Sequence, residues 1–467
     1  PFQGGTHLPD ITLVAPVFVA GEGPLFYVAN RAHHADVGGM SAGSMPLSTS
    51  IFQEGIIIPP LKIVEGGVLK QSILALLLRN VRTPVEREGD LAAQLMANRT
   101  GIARFMEVID KYGLPVVSSY AENLLDYAER IARQTLAALP DGIYSFEDRL
   151  EDDGQGNEDI SLRATVQIQG SDIRIDLTGC ADQTAGCVNA VHAITLSCAM
   201  YVLGTLLPCS APANAGCFRP LSVITRPGSV TDARFPAAVA GGNVETSQRI
   251  VDTILGALAP ALPKVVPAAS QGTMNNLTVG GIHPDKGAPF TYYETIGGGT
   301  GACAAVDGDT AVHSHMTNTL NTPVEALEYS YPLTVTRYKI RRGSGGSGAR
   351  RGGDGIVREL RLETDAEVTM LSERRRIAPY GLNGGEPGKT GRNSLLRKGR
   401  VTELSGKFHR RLKTGDVLRI ETPGGGGYGR SEQTRPFRKN HQNSYLTQSR
   451  KERKETLVIT INCANNR

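Results

Sequence analysis

With 467 residues, 40% hydrophobic and 21% charged, the chain is too long for one ordinary core and has the make-up of a globular protein of two or three domains. Its formal charge of +4 is no sign of nucleic-acid binding, because residues from Arg430 onward hold nine Lys or Arg against three Glu, a net +6, which leaves the rest at −2 with no footprint for a phosphate backbone. No uncharged apolar run reaches the ~18 residues that span a bilayer, no secretory leader is recognisable, and seven cysteines without a C-x-x-C pair exclude a disulfide framework or zinc ribbon, so the reading predicts a cytoplasmic protein.

Residues 11–19, "ITLVAPVFV", and 25–29, "LFYVA", read as strands joined by the Gly and Pro of "AGEGP". A hairpin centred near Glu22 sets Asp10 opposite His34. The two His-x-x-Asp spacings, His7/Asp10 in "THLPD" and His33/Asp36 in "RAHHAD", then share its open end, where strands roughly 5 Å apart let side chains converge. His and Asp offer mixed N/O donors that suit Mn²⁺, Fe²⁺ or Zn²⁺. The same residues also fit a second reading, as hydrogen-bonded groups closing strand ends.

Helical patterns follow at about 68–81, 91–111 and 119–138, the second stopping at Gly113 and the third opening on Ser119 and Glu122 in a capping box. From 141 the period changes to two, through "IYSFEDRLEDDG" and a hairpin turning at Gly170-Ser171, and 188–207 reads as a buried helix. Between about 210 and 330 dense polar and glycine segments look like site-lining loops on short strands. Within them Cys217 sits in a turn-like, exposed setting, and His313 and His315 of "HSH" share a face if extended. Glu245 and Arg249 stand i,i+4 at a helix start, either as an ion pair or with Glu245 as a catalytic acid or base; His315 is the second catalytic candidate.

From about 333 a β-rich region runs to "DVLRIETPGGGGYG", and the basic remainder is expected to have no fold. The glycine runs "GSGGSGARRGGDG" and "GGGGYG" lack the P-loop pattern and a strand-to-helix Rossmann setting, and read as turns. The expected architecture is α+β and multi-domain, with antiparallel or mixed sheets, packing helices and a β-rich C-terminal region. Its parts are 1–140, 141–332, 333–429 and a basic tail, 430–467.

The segments "GGTHLPD", "NRAHHADVGGMSAGSMP", "GDLAAQLMANRTG", "NAGCFRP", "GGNVETSQRIVD", "ASQGTMNNLTVGG", "YYETIGGGTGA", "HMTNTLNTPVEALE", "RRGGDGIVRE", "LSERRR", "GLNGGEPG" and "TPGGGGYG" resemble, in this order, the hydantoinase B/5-oxoprolinase family over roughly nine tenths of the chain. The resemblance implies the B-type subunit of an ATP-dependent cyclic amide hydrolase. ATP would be bound by an A-type partner that phosphorylates a lactam or imide carbonyl, and the B-type chain would help complete ring opening within a hetero-oligomer. Carboxylase relatives hold a divalent metal in motifs resembling His7, Asp10, His33 and Asp36, with His34 the alternative to His33. Asn275, Asn276 and the amides of "IGGGTG" would donate hydrogen bonds to developing negative charge. An α subunit of a ketone carboxylase is the enzyme alternative, and a metal-free scaffold the non-enzyme one. Family members carry more chain before Pro1, so the sequence is expected to begin inside the first domain, and its tail after Gly429 resembles nothing in the family.

Overall fold

The computed structural model describes residues 1–19 and 23–431. Strands β1 (Asp10–Phe18) and β2 (Pro24–His33) form an antiparallel ribbon in which Asp10 pairs with His33, Leu13 with Asn30 and Val17 with Phe26. The expected partner of Asp10 was His34. The pairing is one residue tighter and shifts again between Val17 and Phe18, and a one-residue slip exchanges the faces of a strand, so His33 and not His34 shares the side of Asp10. Residues 20–22, including Glu22 of the expected turn, lie outside the described residues.

A small hairpin, β3 (Val64–Glu65) and β4 (Val68–Leu69), precedes three helices: α1 (Gln71–Arg79), α2 (Pro84–Tyr112) and α3 (Leu114–Ala137). α2 ends as expected at Gly113, whose amide donates to the Ile109 carbonyl at 2.7 Å with φ +79°, a conformation that favours glycine. α3 begins five residues before the Ser119 capping box, because Pro115 is well placed in a first helical turn and no breaker intervenes. α2 lies across the ribbon. Gln94 donates to the Ile11 carbonyl (2.9 Å) and to Asn30 Oδ1 (2.8 Å), which fixes the otherwise marginal two-stranded unit.

The first core is built on β5 (Gly142–Asp152), β6 (Glu158–Gln169) and β7 (Asp172–Asp176), antiparallel in that order, with β8 (Leu221–Ile224) added parallel to β7. α4 (His192–Leu206) and α5 (Ser247–Leu258) cover it, burying Leu162, Val166 and Ile175 against Val202, Ile250 and Ile254. Every residue of α5 is buried, charged ones included. Cys217, expected to be exposed, is buried with its thiol donating to the Pro212 carbonyl at 3.1 Å.

The second core lies between two sheets. β9 (Asn276–Ile282) and β10 (Pro289–Glu294) are followed by α6 (Val324–Ser330) and β11 (Leu333–Arg341), then β12 (Gly355–Leu362), β13 (Ala366–Leu371), β14 (Arg392–Arg397), β15 (Arg400–Leu404), β16 (Lys407–Leu412) and β17 (Val417–Glu421). One sheet has the order β10-β9-β13-β16, the other β11-β12-β17-β14-β15. Val279, Val368 and Phe408 of the first meet Leu360, Leu395 and Ile420 of the second. The pairing of β9 with β13 crosses position 333, where the sequence suggested a boundary. The two cores are fastened by buried charges: Arg249 pairs with Asp148 (3.2 Å) and Glu373 (3.0 Å), Arg374 with Asp148 (2.8 Å) and Asp252 (2.9 Å), and Lys407 with Glu373.

The glycine runs are not turns. Residues 297–301, 344–355, 381–388 and 423–429 run alongside one another, joined by Gly353 N–H to Thr300 O (2.9 Å), Gly425 N–H to Gly353 O (3.0 Å), Gly346 N–H to Gly425 O (2.9 Å) and Gly427 N–H to Glu386 O (2.9 Å). A Cβ at Gly425 would fall inside the van der Waals shell of the Thr300 carbonyl oxygen, and one at Gly299 on that of Gly353. Glycine is required there for backbone approach, not for positive φ. Among the described residues no helix is long and apolar enough to cross a membrane.

Candidate metal centre

The ribbon's open end gathers His7, Asp10 and His33, whose ligand atoms lie within 4.8 Å of one another. A tight turn in "HLPD", with Asp10 N–H donating to the His7 carbonyl (3.2 Å), folds His7 back over Asp10, and the ribbon register supplies His33 from the other strand. Asp10 faces both imidazoles: Oδ2 is 3.0 Å from His7 Nδ1 and Oδ1 is 3.2 Å from His33 Nδ1, while Thr6 Oγ1 donates to Oδ2 at 2.6 Å. Burial would raise the Asp10 pKa, yet the two imidazoles outweigh it and hold the carboxyl below its ordinary range. Lost solvation is the largest influence on His33 and lowers its pKa against the opposing pull of Asp10.

The residues fit a divalent cation. His7 Nδ1 is a buried ring nitrogen with no hydrogen-bond partner, left facing the carboxylate. Donors each ~2.1 Å from one ion can stand at most about 4.2 Å apart, so a small side-chain rotation closes the group into a three-ligand set with an open position. Surrounding contacts orient the ligands. The Asn243 amide nitrogen meets His7 Nε2 at 3.2 Å and holds the ring from the side away from Asp10. The Tyr293 ring stacks on His33 at 4.7 Å between centroids. Asn243 and Tyr293 went unnoticed in the sequence, where nothing but their place in "GGNVET" and "YYETIGGG" marks them.

Asp36 and His34 lie outside this group. Asp36 is fully buried and accepts from Arg82 N–H (2.7 Å) and Nη1 (2.8 Å), so its charge is already matched by the connection between α1 and α2. His34 turns to the opposite face and meets Gln94 Oε1 at 2.9 Å. The other site candidates form a second tier reached through Tyr293, whose hydroxyl donates to Asn276 Oδ1 at 2.9 Å; Asn276 Nδ2 in turn donates to Glu245 Oε1 at 2.8 Å. The Asn275 amide nitrogen instead donates to Gln271 Oε1 (2.9 Å) and the Ile296 carbonyl (3.0 Å). His315 stands 3.3 Å from Asp252 and 3.4 Å from Tyr201. In "IGGGTG" the amides of Ile296, Gly298, Gly299, Thr300 and Gly301 all donate within the protein, so the expectation that they face a reaction centre is not met.

Glu245 does not pair with Arg249. The chain over Gly242–Thr246 makes a π-helical turn before α5, and this wider turn brings Asn243 to His7 while aiming Glu245 at the loop 273–276, where the Met274 amide also donates to it (3.1 Å). Arg249 is taken by Asp148 and Glu373. Complete burial, reinforced by the charge of Glu373, pushes the Glu245 pKa up to about 7. A carboxyl bound more tightly to its proton in the folded state supports folding fully below the ordinary pKa of 4.5, and that support fades as pH rises and is gone above about 7. Glu245→Gln is therefore expected to remove a loss of stability on the order of 3 kcal/mol between acidic and mildly alkaline solution. Denaturant midpoints of both proteins measured across that range check it; parallel curves contradict it.

These features describe an α+β protein of two cores, with a His-Asp-His group at the foot of a β-ribbon and a protonatable glutamate behind it. The chain belongs to the Hydantoinase B/oxoprolinase family, whose sequence profile matches residues 1–431. It is 39% identical to a 5-oxoprolinase of Dictyostelium discoideum over 437 residues, 92% of this chain but 34% of that protein. Among solved structures it is similar to an ATP-dependent caprolactamase from Pseudomonas jessenii, with TM-score 0.85 and 28% identity over 91% of this chain and 75% of the other. An acetone carboxylase structure matches with TM-score 0.82 at 18% identity, covering 91% of this chain and 63% of that one, a likeness of fold alone.

Proposed function

We propose that this chain is the B-type part of an ATP-dependent cyclic amide hydrolase, working with an ATP-binding A-type part. The observation that carries the reading is the His7–Asp10–His33 group, open to solvent on the His33 side, in a chain of this family. The names of the relatives agree, since a 5-oxoprolinase and an ATP-dependent caprolactamase both act on lactam rings.

A divalent cation held by His7, Asp10 and His33 would polarise a carbonyl or acidify a water. The chain's own residues supply the rest. Asp10 holds both imidazoles in one orientation, Asn243 holds His7 through Nε2, and Tyr293 keeps the His33 ring from turning. Asn276 links that stacked tyrosine to Glu245, whose second oxygen, Oε2, is buried without a partner and whose pKa near neutrality suits it to take up or release a proton.

The test is reconstitution with an ATP-binding A-type partner, followed by assays of ring opening and phosphate release over 5-oxoproline, hydantoins and larger lactams. ATP-coupled opening of one of these rings is expected only when both parts are present. Opening by this chain alone, or bicarbonate-dependent carboxylation of a ketone instead, would refute the reading.

A further inference from the structure

Buried polar atoms without partners are concentrated in one place. Of 22 such atoms among the described residues, seven belong to side chains around a seam between α5 with its preceding turn and the loops at 271–275 and 313–315, once Asp252 Oδ1 and His315 Nε2, which face each other at 3.3 Å, are set aside. From the helix side come Glu245 Oε2 in the π turn and Gln248 Oε1 in the first turn of α5. The adjoining loops add Gln271 Nε2 and Asn275 Oδ1 on one side, and both nitrogens of His313 and Ser314 Oγ on the other.

Contacts close the circuit around this seam. Gln248 Nε2 donates to the Ser314 carbonyl (2.9 Å), Met274 N–H to Glu245 (3.1 Å), and Gly298 N–H to the Val312 carbonyl (2.9 Å). Asn275 and His315 hold φ of +49° and +55°, in the left-handed region that Asn and His adopt more readily than most residues. Leaving seven polar atoms unpaired and dry would cost about 1–3 kcal/mol each, as much as the whole net stability of a domain. A polar occupant is required.

The charges say which kind. The cations that reach the seam, Arg374 and Arg249, each already bridge two carboxylates, which disfavours an anion. The unpaired atoms divide between donors and acceptors, and burial lowers the His313 pKa to about 4, so that ring is neutral and offers one of each. The other charged groups near Glu245 are Glu373 and Lys407; those around Asp252 are Arg374 and His315, with the Tyr380 hydroxyl donating to its carbonyl. Water meets all these demands. At the outer end His315 and Tyr201 are only partly buried.

We propose that the seam holds a chain of ordered waters through which the buried Glu245 exchanges protons with solvent at His315 and Tyr201. A proton arriving along it forms an O–H bond on Glu245 Oε2 while each water in turn passes one proton on and receives another, so only charge is displaced; release runs in reverse.

The test uses the full chain alone and needs neither ion nor partner, so it reads out whether or not the hydrolase reading holds. A crystal structure that resolves water is expected to show molecules within hydrogen-bond distance of Gln248 Oε1, Asn275 Oδ1 and Ser314 Oγ; a dry seam, or side chains paired directly, overturns the proposal. The infrared carboxyl band that Glu245→Gln removes is expected to shift on rapid mixing with D₂O below neutral pH. Gln248→Leu, which fills the middle of the seam, should abolish that shift on the mixing timescale. Should that variant not fold, His315→Asn, whose residue tolerates positive φ, is expected to slow the shift at the mouth of the path. Exchange as fast as wild type in either folded variant refutes the path.

Discussion

Asp10→Ala is expected to abolish binding of divalent cations by the isolated chain, measured by calorimetry and by elemental analysis after gel filtration. Asp10 is the member of the group that touches both others, so its removal takes away one ligand and the contacts that orient the other two. Losing a constraint of that kind alone weakens metal affinity ~10- to 100-fold, and losing the ligand as well should push the total beyond detection at micromolar protein. Asp36→Ala is the control. Its carboxylate is already satisfied by Arg82, so affinity should stay within a factor of about two while the fold loses about 1–3 kcal/mol. Loss of binding in the Asp36 variant and retention in the Asp10 variant would sink the assignment of the group.

That contrast also marks how far the sequence could be read. Two His-x-x-Asp spacings flanking one hairpin predicted convergence, and His7, Asp10 and His33 do converge. Asp36 shared the spacing but not the outcome, because its fate depends on Arg82, 46 residues away, and no local pattern announces a partner at that separation. Choosing between His33 and His34 required the register to within one residue. The pairing shift near Val17 and Phe18 decides it, and the residues of the turn give no direct sign of that shift. Glu245 was legible as unusual but not in its role. An i,i+4 reading presumes 3.6 residues per turn, and the π turn over Gly242–Thr246 sends the glutamate to the loop behind the metal group. The mixed α+β architecture and the three N-terminal helices, two of them long, followed from periodicity and helix-end signals. Sheet partners did not, since β9 pairs with β13, some ninety residues later.

The glycine runs show the same limit, and they carry the other large expected effect. Glycine in sequence signals either a positive φ or a close backbone approach, and composition cannot separate the two. In this protein the second governs. At Gly425 the amide donates to Gly353 and the carbonyl accepts from Gly346, while a Cβ would collide with the Thr300 carbonyl, which is itself tied to Gly353. None of these atoms belongs to a flexible side chain, so relief requires moving several backbone segments at once. Gly425→Ala is therefore expected to cost more than about 4 kcal/mol, enough to leave the chain insoluble or unfolded, because overpacking a rigid interior exceeds the usual range of single substitutions. Gly89 provides the opposite case. It sits inside α2 with open space where a Cβ would point, and Gly89→Ala should stabilise the protein by roughly 0.5–1 kcal/mol through helix propensity alone. Thermal melts of the two variants should thus move in opposite directions from wild type. If Gly425→Ala melted with Gly89→Ala, the parallel glycine segments would have to be loosely packed loops, and the sequence reading of them as turns would stand after all.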